Sequence, residues 1–344
     1  MKPYDQLTRL GRIRRLRKLA EKALDAYALT GARLNFQHYE GNLVFRINAS
    51  SIPDPHYISD PAYVPRRYNL RIHTSSNIEG IRGETIWLNA LRSQTGMTLP
   101  EPLPNHDGEL FTTLNIPGSP QKTVSLLRWV DGRVLSEGFR PHHFHAVGEM
   151  IAHLHNFSAL WTPPPNFTRP EWDWQGLLGG EHFRQPLDEI IAAIPDRFRE
   201  AFLEVSGKTK QVMDQLGKSS QVYGLIHSDL YPENILFKSG QALPIDFEDC
   251  GYGYWIWDIA TALCLWPWTE DWTWMRDALF DGYLKVRTIP QEQIDLLDLF
   301  MAAQYATMVL WATVFILNDP ARVPEHEEWR DRDGSKLLRY FDIR

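Results

Sequence analysis

The hydrophobic pattern at the start of the chain predicts one helix followed by a hairpin. Apolar residues recur at helical spacing over residues 7–29, while the opposite face of this segment is strongly basic. Residues 32–50 contain two strand-like runs that meet at the sequence YEGN, with Gly41 and Asn42 at the tip. A short polar tip with a glycine, placed between apolar runs, is typical of a β-hairpin.

Three further strands and a second helix follow before residue 131. Residues 68–74 form a strand-like run, and residues 76–96 carry apolar side chains on one side of a predicted helix. Residues 108–116 and 122–130 predict two strands around a proline-containing turn. This order of elements favours a small α+β lobe with a mainly antiparallel sheet.

Long helical patterns replace the strands in the rest of the chain. Residues 142–160, residues 187–216 and most of the sequence after residue 255 repeat their apolar positions at helical spacing. We therefore predict an α+β fold of two lobes. The first is a small lobe over residues 1–130, and the second is a larger, mainly helical lobe over residues 131–344.

Two segments resemble membrane or targeting sequences. Residues 299–317 are almost long enough to cross a bilayer, but Gln304, Thr307 and Thr313 interrupt the run and no basic cluster flanks it. A buried core helix is the favoured interpretation over a membrane span. The basic segment at residues 7–29 lacks a secretory apolar core, which favours packing on the domain over contact with an anionic membrane.

Composition narrows the class of protein. The chain has 344 residues, 43% of them hydrophobic, and a formal net charge of -7. Such a chain can bury sizeable cores, and its acidic balance argues against a nucleic-acid partner. The two cysteines, Cys250 and Cys264, match neither a disulfide framework nor a metal-binding spacing, which indicates a reducing, cytoplasmic setting. The oligomeric state stays open.

Polar residues with catalytic chemistry occur in the sequence IHSDLYPENILF, residues 226–237. Short apolar runs on both sides predict strands, so that Asp229 and Asn234 lie in the turn between them. Aspartate, asparagine and proline are also common in ordinary turns, so turn chemistry alone is one explanation of this segment.

A second carboxylate supports a catalytic explanation. Asp246 lies 17 positions after Asp229, at the end of another strand-like run, and a predicted glycine-rich turn with Gly251 and Gly253 follows it. Two carboxylates and an asparagine provide hard oxygen donors, which suit Mg2+ better than zinc. Phosphoryl transfer needs such a set, since one carboxylate orients the attacking hydroxyl while other oxygens hold Mg2+.

The order of these residues resembles that of kinases. The sequence HSDLYPEN follows the kinase catalytic-loop pattern, with Ser228 where protein kinases usually carry arginine, and DFE at residues 246–248 stands where kinases have Asp-Phe-Gly. With its surroundings, the chain resembles the aminoglycoside phosphotransferase and choline kinase superfamily, in the homoserine-kinase-like branch of bacterial small-molecule kinases. The resemblance covers nearly the whole chain and is most specific over residues 223–260.

This resemblance implies a protein-kinase-like fold of two lobes and an enzyme that uses ATP and Mg2+. It implies that Asp229 is the catalytic aspartate and that Asn234 and Asp246 bind Mg2+. It also implies that His227 supports the loop backbone and that Asp258 is the buried aspartate that braces the catalytic loop.

The resemblance also implies a nucleotide site in the first lobe. A kinase places a cation on a strand against the nucleotide phosphates and holds it with a glutamate from the next helix. Arg71 and Glu84, 13 positions apart, fit these roles, with arginine in place of the usual lysine as in some branches of the family. An ordinary surface ion pair is the alternative. Gly41 and Asn42 would form a short nucleotide loop.

Four further residues have predicted roles near the nucleotide. The sequence LLRWVDG resembles the family's hinge, where backbone groups near Arg128 and Val130 would pair with adenine. Glu248 and Asp249 would hold a second Mg2+ through water or bind a cationic substrate; solvated turn residues are the alternative for both.

The sequence therefore favours an ATP-dependent phosphotransferase that acts on a hydroxyl of a small molecule. The same machinery in a Ser/Thr protein kinase is one alternative. A catalytically silent nucleotide-binding module is another, and it is disfavoured because Asp229, Asn234 and Asp246 are all present.

Overall fold

A computed structural model describes residues 2–4, 6–74, 77–266, 268–319 and 322–342. The chain divides into two compact units. The first comprises Met1–Arg133 and Pro165–Thr168, and the second comprises Val134–Pro164 and Arg169–Arg344.

The described residues of the first unit form a five-stranded antiparallel sheet and two helices. Its helices are α1 (Arg9–Ala26) and α2 (Ile78–Thr95), and its strands are β1 (Arg33–Glu40), β2 (Asn42–Asn48), β3 (Tyr63–Ile72), β4 (Phe111–Leu114) and β5 (Lys122–Val130). The strand order is β1-β2-β3-β5-β4. The predicted elements are confirmed, although β3 begins earlier than predicted because an irregularity in its pairing with β5 lets the strand extend past Arg66.

Helix α1 packs on the sheet through its apolar face. Leu16, Leu19 and Leu24 are buried in the core of the first unit. The basic side chains bind backbone carbonyl groups of the same unit: Arg9 donates to the Tyr39 carbonyl at 2.8 Å, and Lys22 and Arg17 bind two others. Packing on the domain, the favoured interpretation of this segment, is therefore confirmed.

The second unit is mainly helical. Its helices are α3 (Pro141–Leu160), α4 (Trp174–Leu177), α5 (Leu187–Ala193), α6 (Asp196–Leu216), α7 (Trp255–Leu263), α8 (Trp272–Val286), α9 (Gln291–Ile294), α10 (Leu297–Asn318) and α11 (Val323–Asp342). After the short β6 (Arg133–Val134) at the boundary, its strands are β7 (Glu171–Trp172), β8 (Tyr223–Ile226), β9 (Ile235–Lys238), β10 (Gln241–Pro244) and β11 (Gly251–Tyr254).

The predicted glycine-rich turn after Asp246 is wrong in part, because Gly251 and Gly253 lie in a strand, β11. This strand runs parallel to β7 and antiparallel to β8. A Cβ atom at Gly251 would lie 2.6 Å from the Pro170 carbonyl oxygen, and one at Gly253 would lie 2.4 Å from Cδ1 of Ile226. The glycines therefore permit close approach of neighbouring groups within a sheet, which is a second use of glycine besides turns.

The single helical pattern predicted over residues 187–216 is also corrected. Helix α5 ends at Ala193, and α6 begins at Asp196. Ile194 has an extended conformation (ψ 131°), because the residue before a proline is disfavoured in helical geometry. Pro195 then directly precedes the first turn of α6, where its missing N–H costs nothing.

Helix α10 forms part of the core of the second unit. Among the described residues, the helical stretch Gln291–Asn318 is long and apolar enough to cross a membrane, and 78% of its most apolar window is buried. It packs against α6, α7 and α11. The predicted burial of this segment is therefore confirmed.

Candidate active site

The loop between β8 and β9, residues 227–234, brings Asp229 and Asn234 together. Leu230 and Pro232 are buried and anchor the loop, and a single 3-10 turn from Pro232 to Asn234 reverses the chain. The Asn234 amide then donates from Nδ2 to the Asp229 carbonyl at 2.9 Å and to Asp229 Oδ2 at 2.6 Å. Because this amide nitrogen faces Asp229, Oδ1 is the Asn234 atom that a cation would use.

Asp246 lies next to this pair. The Ile245 N–H donates to the Asn234 carbonyl at 2.9 Å, so the residue before Asp246 is tied directly to the loop. Asp246 itself has a left-handed backbone (φ +63°). A non-glycine residue in this region costs on the order of 1–3 kcal/mol, and such strain persists only where surrounding bonds impose it.

His227 links the two segments that carry these side chains. Its ring is fully buried, Nδ1 accepts from the Asp229 N–H at 3.3 Å, and Nε2 bonds the Ile245 carbonyl at 3.1 Å. Since a carbonyl can only accept, Nε2 carries the proton and the ring is neutral. The ring also packs on Phe247, with centroids 4.5 Å apart.

Asp258, in the first turn of α7, binds the backbone of the loop that carries Asp229. Its fully buried carboxylate accepts from the His227 N–H at 2.9 Å and from the Ser228 N–H at 2.7 Å. Ser228 also has a left-handed backbone (φ +71°), and its carbonyl accepts from the Trp257 indole at 3.3 Å. These bonds impose the strained conformation immediately before Asp229.

Two residues behind Asp258 were not found from the sequence. His155 of α3 bonds the Asp258 carboxylate through Nε2 at 3.2 Å, and the Tyr283 hydroxyl of α8 bonds Nδ1 of the same ring at 2.9 Å. Burial lowers the pKa of His155, so the ring is neutral, donates to Asp258 and accepts from Tyr283. Neither residue lies near a recognisable motif; a histidine on the apolar face of α3 was the one available signal.

Negative charge accumulates around Asp229. Burial, followed by the carboxylates of Asp249, Asp246 and Glu233, raises the pKa of Asp229 well above the ordinary carboxyl range, while the Asn234 amide opposes the shift. A cation among these groups would relieve the repulsion, and their oxygen donors fit Mg2+. The site therefore has the charge and the ligand type that a divalent cation requires.

The cation would need oxygens from its substrate as well. Across the described residues, no three His, Cys, Asp or Glu side chains come close enough to hold a metal ion by themselves. Mg2+ is typically bound by one or two protein carboxylates together with phosphate oxygens and water. Asp246 with the Asn234 oxygen matches this mode of binding.

Glu248 and Asp249 lie directly after Asp246 and Phe247. Among neighbouring carboxylates, Asp249 acts most strongly on Asp229. The backbone carbonyls of Glu248 and Asp249 accept hydrogen bonds from Arg169 and Trp172 respectively. The backbone of this segment is therefore held in place, while Glu248 is half-buried and Asp249 is exposed; the roles of the two side chains stay predictions.

In the first unit, Arg71 of β3 and Glu84 of α2 form a buried ion pair. Arg71 Nη1 lies 2.8 Å from Glu84 Oε1, and both side chains are 5% exposed. The alternative of an ordinary surface ion pair is therefore wrong. Burial, Arg71 and Lys122 together lower the pKa of the nearby His73 to about 3, so that its ring is neutral beside two cations.

Gly41 and Asn42 form the predicted hairpin tip. Gly41 connects β1 and β2 with a left-handed backbone (φ +64°), which glycine adopts without strain. The buried Asn42 side chain accepts from the Thr74 N–H at 3.1 Å, and the Thr74 hydroxyl donates to the Gly41 carbonyl. The Asn42 side chain thus ties the tip to the end of β3.

Arg128 and Val130 lie at the end of β5. The Arg128 N–H donates to the Glu101 carbonyl at 2.9 Å, and its guanidinium binds the Glu101 carboxylate and the His56 carbonyl. Val130 pairs with Tyr63 of β3. An adenine contact at Arg128 would therefore use its carbonyl and not its N–H.

Comparison with known proteins identifies the class of protein. A family model described as the phosphotransferase enzyme family matches residues 58–293, which is more than half of the chain. The chain belongs to this family, and the resemblance inferred from its motifs is confirmed.

Curated relatives in this family are kinases. The chain is 28% identical over 212 residues to a homoserine kinase of Sinorhizobium medicae, a match that covers 60% of each chain. It is 24% identical over 183 residues to an amicoumacin kinase of Bacillus subtilis, covering 53% of this chain and 51% of the relative. The chain thus spans about 60% of the length of the homoserine kinase that it matches.

Solved structures share the fold along almost the whole chain. A microcompartment-associated aminopropanol kinase superposes with a TM-score of 0.76 at 22% identity, over 95% of this chain and 98% of that one. An amicoumacin kinase in complex with AMP-PNP, Ca2+ and Ami gives a TM-score of 0.73 at 20% identity, over 93% and 92% of the two chains. The predicted α+β, kinase-like fold class is confirmed.

Proposed function

We propose that this protein is a small-molecule kinase, which transfers the γ-phosphoryl group of ATP to a hydroxyl group. The observation that carries the proposal is the pairing of the Asp229 carboxylate with the Asn234 amide at 2.6 Å, next to Asp246. A phosphotransferase needs these elements together: one carboxylate at the acceptor hydroxyl and other oxygens for a cation. Family relatives named as kinases of homoserine, aminopropanol and amicoumacin support it.

Asp229 has the role of proton acceptor. The oxygen of the acceptor hydroxyl forms a bond to the γ-phosphorus, the bond from that phosphorus to the bridging oxygen breaks, and ADP leaves. The hydroxyl proton passes to the Asp229 carboxylate. The Asn234 amide fixes the orientation of that carboxylate, and Asp258 and His227 fix the backbone that carries it. Most of the catalytic effect is therefore positioning.

Asn234 and Asp246 have the role of cation ligands. Mg2+ is the proposed ion, because an amide oxygen and a carboxylate are hard donors. When bound with ATP, Mg2+ neutralises negative charge that develops on the phosphates. The amicoumacin kinase complex holds AMP-PNP together with Ca2+, which also prefers oxygen ligands. Glu248 and Asp249 have the proposed role of binding either a second cation or a cationic group of the substrate.

The first unit supplies residues for the nucleotide. Arg71 carries a permanent charge whose planar guanidinium can bind two phosphate oxygens, and Glu84 orients it. The backbone at Gly41, where no side chain blocks approach, is the proposed phosphate contact of the hairpin tip. The Arg128 carbonyl and the Val130 backbone are the proposed adenine contacts.

The acceptor that we propose carries an amine as well as a hydroxyl. The carboxylates of Asp249, Asp246 and Glu233 raise the pKa of Asp229, and a cationic substrate group would be attracted to this negative charge. Homoserine and aminopropanol, the compounds named for two relatives, share these two functional groups. A cytoplasmic location suits an enzyme of this kind, because ATP is available there and both cysteines are free thiols.

A screen of acceptors tests the proposed function. Purified protein with ATP and Mg2+ is incubated with homoserine, amino alcohols, hydroxy amino acids, sugars and aminoglycosides, and phosphorylated products are detected by mass spectrometry. We expect one or more amine-bearing alcohols to gain a phosphoryl group as ADP forms. ATP consumption that no small molecule increases, or phosphate found only on added proteins, would contradict the proposal.

A further inference from the structure

The loop after Asp246 presents three consecutive backbone carbonyl groups to one neighbouring segment. That segment, residues 169–172, follows α3 in the sequence, and we call it the strap. Its side chains donate hydrogen bonds to the carbonyl groups of Glu248, Asp249 and Cys250. No residue of the strap belongs to a recognisable kinase motif.

Arg169 and Trp172 divide the three bonds between them. The Arg169 guanidinium uses two nitrogens, Nη2 and Nε, for the first and third carbonyl groups. The Trp172 indole donates to the second, the Asp249 carbonyl, at 2.6 Å. A guanidinium holds its donors in a rigid plane, so one side chain can fix the spacing of two carbonyl groups, which a lysine ammonium does less well.

The strap backbone fixes the same loop from its other end. The Tyr252 N–H donates to the Pro170 carbonyl at 2.8 Å, and Gly253 pairs with Trp172 in the parallel register of β11 and β7. A Cβ atom at Gly251 would lie 2.6 Å from both the Pro170 carbonyl oxygen and the Trp172 indole nitrogen. The segment from residue 248 to residue 253 is thus held along its whole length.

The loop held in this way carries two of the carboxylates that act on Asp229. Asp246 begins the loop, and Asp249 has its carbonyl bound by the strap. Both raise the pKa of Asp229. The Ile245 N–H, directly before Asp246, donates to the Asn234 carbonyl at 2.9 Å, so the start of this loop is tied to the segment that carries Asp229 while the strap binds the carbonyl groups of residues 248–250.

We propose that Arg169 and Trp172 are positioning residues of the phosphoryl-transfer site. They hold residues 248–250, and through them they fix the loop that begins at Asp246, next to the Asp229–Asn234 pair. This inference rests on the proposed function, in which Asp246 is a cation ligand. Residues that orient metal ligands without touching the metal commonly change metal affinity or activity by about 10- to 100-fold when they are replaced.

The chain offers matched controls for both residues. Arg199 also binds backbone carbonyl groups, those of Ile191, Ala192 and Ile194, at the start of α6. Trp174 donates its indole N–H to the Ser206 carbonyl at 3.0 Å. Arg199→Met and Trp174→Phe therefore remove the same kinds of bond as Arg169→Met and Trp172→Phe, without loss of a bond to residues 248–250.

Calorimetric titration of AMP-PNP, with and without Mg2+, tests the inference. In the parent protein we expect Mg2+ to strengthen AMP-PNP binding. Arg169→Met should lose about tenfold or more of this Mg2+-dependent gain, with little change in affinity measured without Mg2+. Arg199→Met should keep the gain, even where thermal unfolding shows an equal loss of stability. Arg169→Lys, which retains a charge and one donor group, should recover part of the effect.

Three other outcomes of this titration are possible, and each decides for or against the inference as follows. An equal Mg2+-dependent gain in Arg169→Met and Arg199→Met would overturn the positioning role. If Arg169→Met does not fold, the pair Trp172→Phe and Trp174→Phe decides the question with the same titration. A parent protein that binds no AMP-PNP at all would contradict the proposed function itself, and the inference with it.

Discussion

In the first unit, Glu84 lies 2.8 Å from Arg71 and holds in place the guanidinium that we propose to bind the nucleotide phosphates. In the second unit Asp229, the proposed catalytic residue, is fixed differently, because Asp258 binds the backbone N–H groups of His227 and Ser228 and not the Asp229 side chain. The first arrangement joins two side chains directly. In the second arrangement Asp258 binds backbone N–H groups, so it fixes the main chain of the loop that carries Asp229.

This difference has consequences for how each unit responds to substitution. Loss of one partner in the first unit leaves a single buried charge uncompensated. Loss of the Asp258 carboxylate leaves two backbone donors and the His155 ring without an acceptor, and it releases the left-handed Ser228. We therefore expect substitutions in the second unit to alter both stability and turnover, and substitutions in the first unit to alter mainly nucleotide affinity.

Asp258→Asn should give the largest loss of stability. The amide places an N–H2 group against N–H donors that now bind a carboxylate oxygen, so at least one buried donor loses its acceptor. We expect a loss of about 3 kcal/mol in the free energy of unfolding, measured by urea denaturation, together with a fall in turnover of about 100-fold. Full turnover with an unchanged denaturation midpoint would remove Asp258 from this role.

Glu84→Gln should have a smaller effect on stability, and its effect on catalysis should be confined to nucleotide affinity. The amide oxygen can still accept from Arg71, but the charge that compensates the guanidinium is lost, which costs about 2 kcal/mol of stability. We expect the KM for ATP to rise about tenfold while kcat changes little. Arg71→Lys, which keeps the positive charge, serves as the companion variant. A fall in kcat at an unchanged KM for ATP would mean that this first-unit variant alters turnover and not nucleotide affinity. That result would contradict the difference expected between the two units.

The smallest expected effect is the pH dependence of stability. This dependence arises because each unit buries a neutral histidine. Burial lowers the pKa of His155, and that of His73 falls to about 3, whereas an unfolded histidine titrates near pH 6.5. Below pH 6.5 the unfolded chain therefore binds a proton that the folded chain does not, and stability falls as the pH falls. The His73 ring should contribute about 1 kcal/mol of loss between pH 6 and pH 5, and the His155 ring should add a loss of the same sign.

His73→Gln isolates the contribution of the first unit. Glutamine can keep a hydrogen bond to the Ser125 hydroxyl, which now bonds the His73 ring at 2.9 Å, but it does not titrate. Urea denaturation at pH 6 and pH 5 should show a smaller drop for the variant than for the parent, by about 1 kcal/mol. Equal drops would mean that His73 is protonated in the folded protein.

Part of the candidate site could be predicted, because its side chains have distinctive chemistry and occur at fixed spacings in the sequence. The loop that joins Asp229 to Asn234 follows from the order of His227, Asp229 and Asn234, and the buried ion pair follows from a strand arginine and a helix glutamate 13 positions later. These predictions depend on residue types that few other roles require in that order. The division of residues 187–216 could also have been predicted, because Pro195 marks it.

Contacts that use the backbone could not be predicted in this way. Arg169 and Trp172 bind carbonyl groups, and every residue has a carbonyl, so nothing in the loop sequence identifies its partners. Tyr283 meets His155, which bonds Asp258, because α3 and α8 pack side by side, and this packing depends on the tertiary fold. For the same reason the glycines of β11 suggested a turn, since the neighbours that exclude a side chain there are distant in sequence.

The most direct test of the proposed phosphoryl transfer compares turnover with nucleotide binding in Asp229→Asn. The asparagine keeps the size of the side chain and an oxygen for the Asn234 amide, but it cannot take a proton from the acceptor. With an acceptor identified by the screen, kcat should fall by about 1,000-fold, while AMP-PNP binds with Mg2+ within about twofold of the parent affinity. Turnover that survives the substitution would contradict the role given to Asp229.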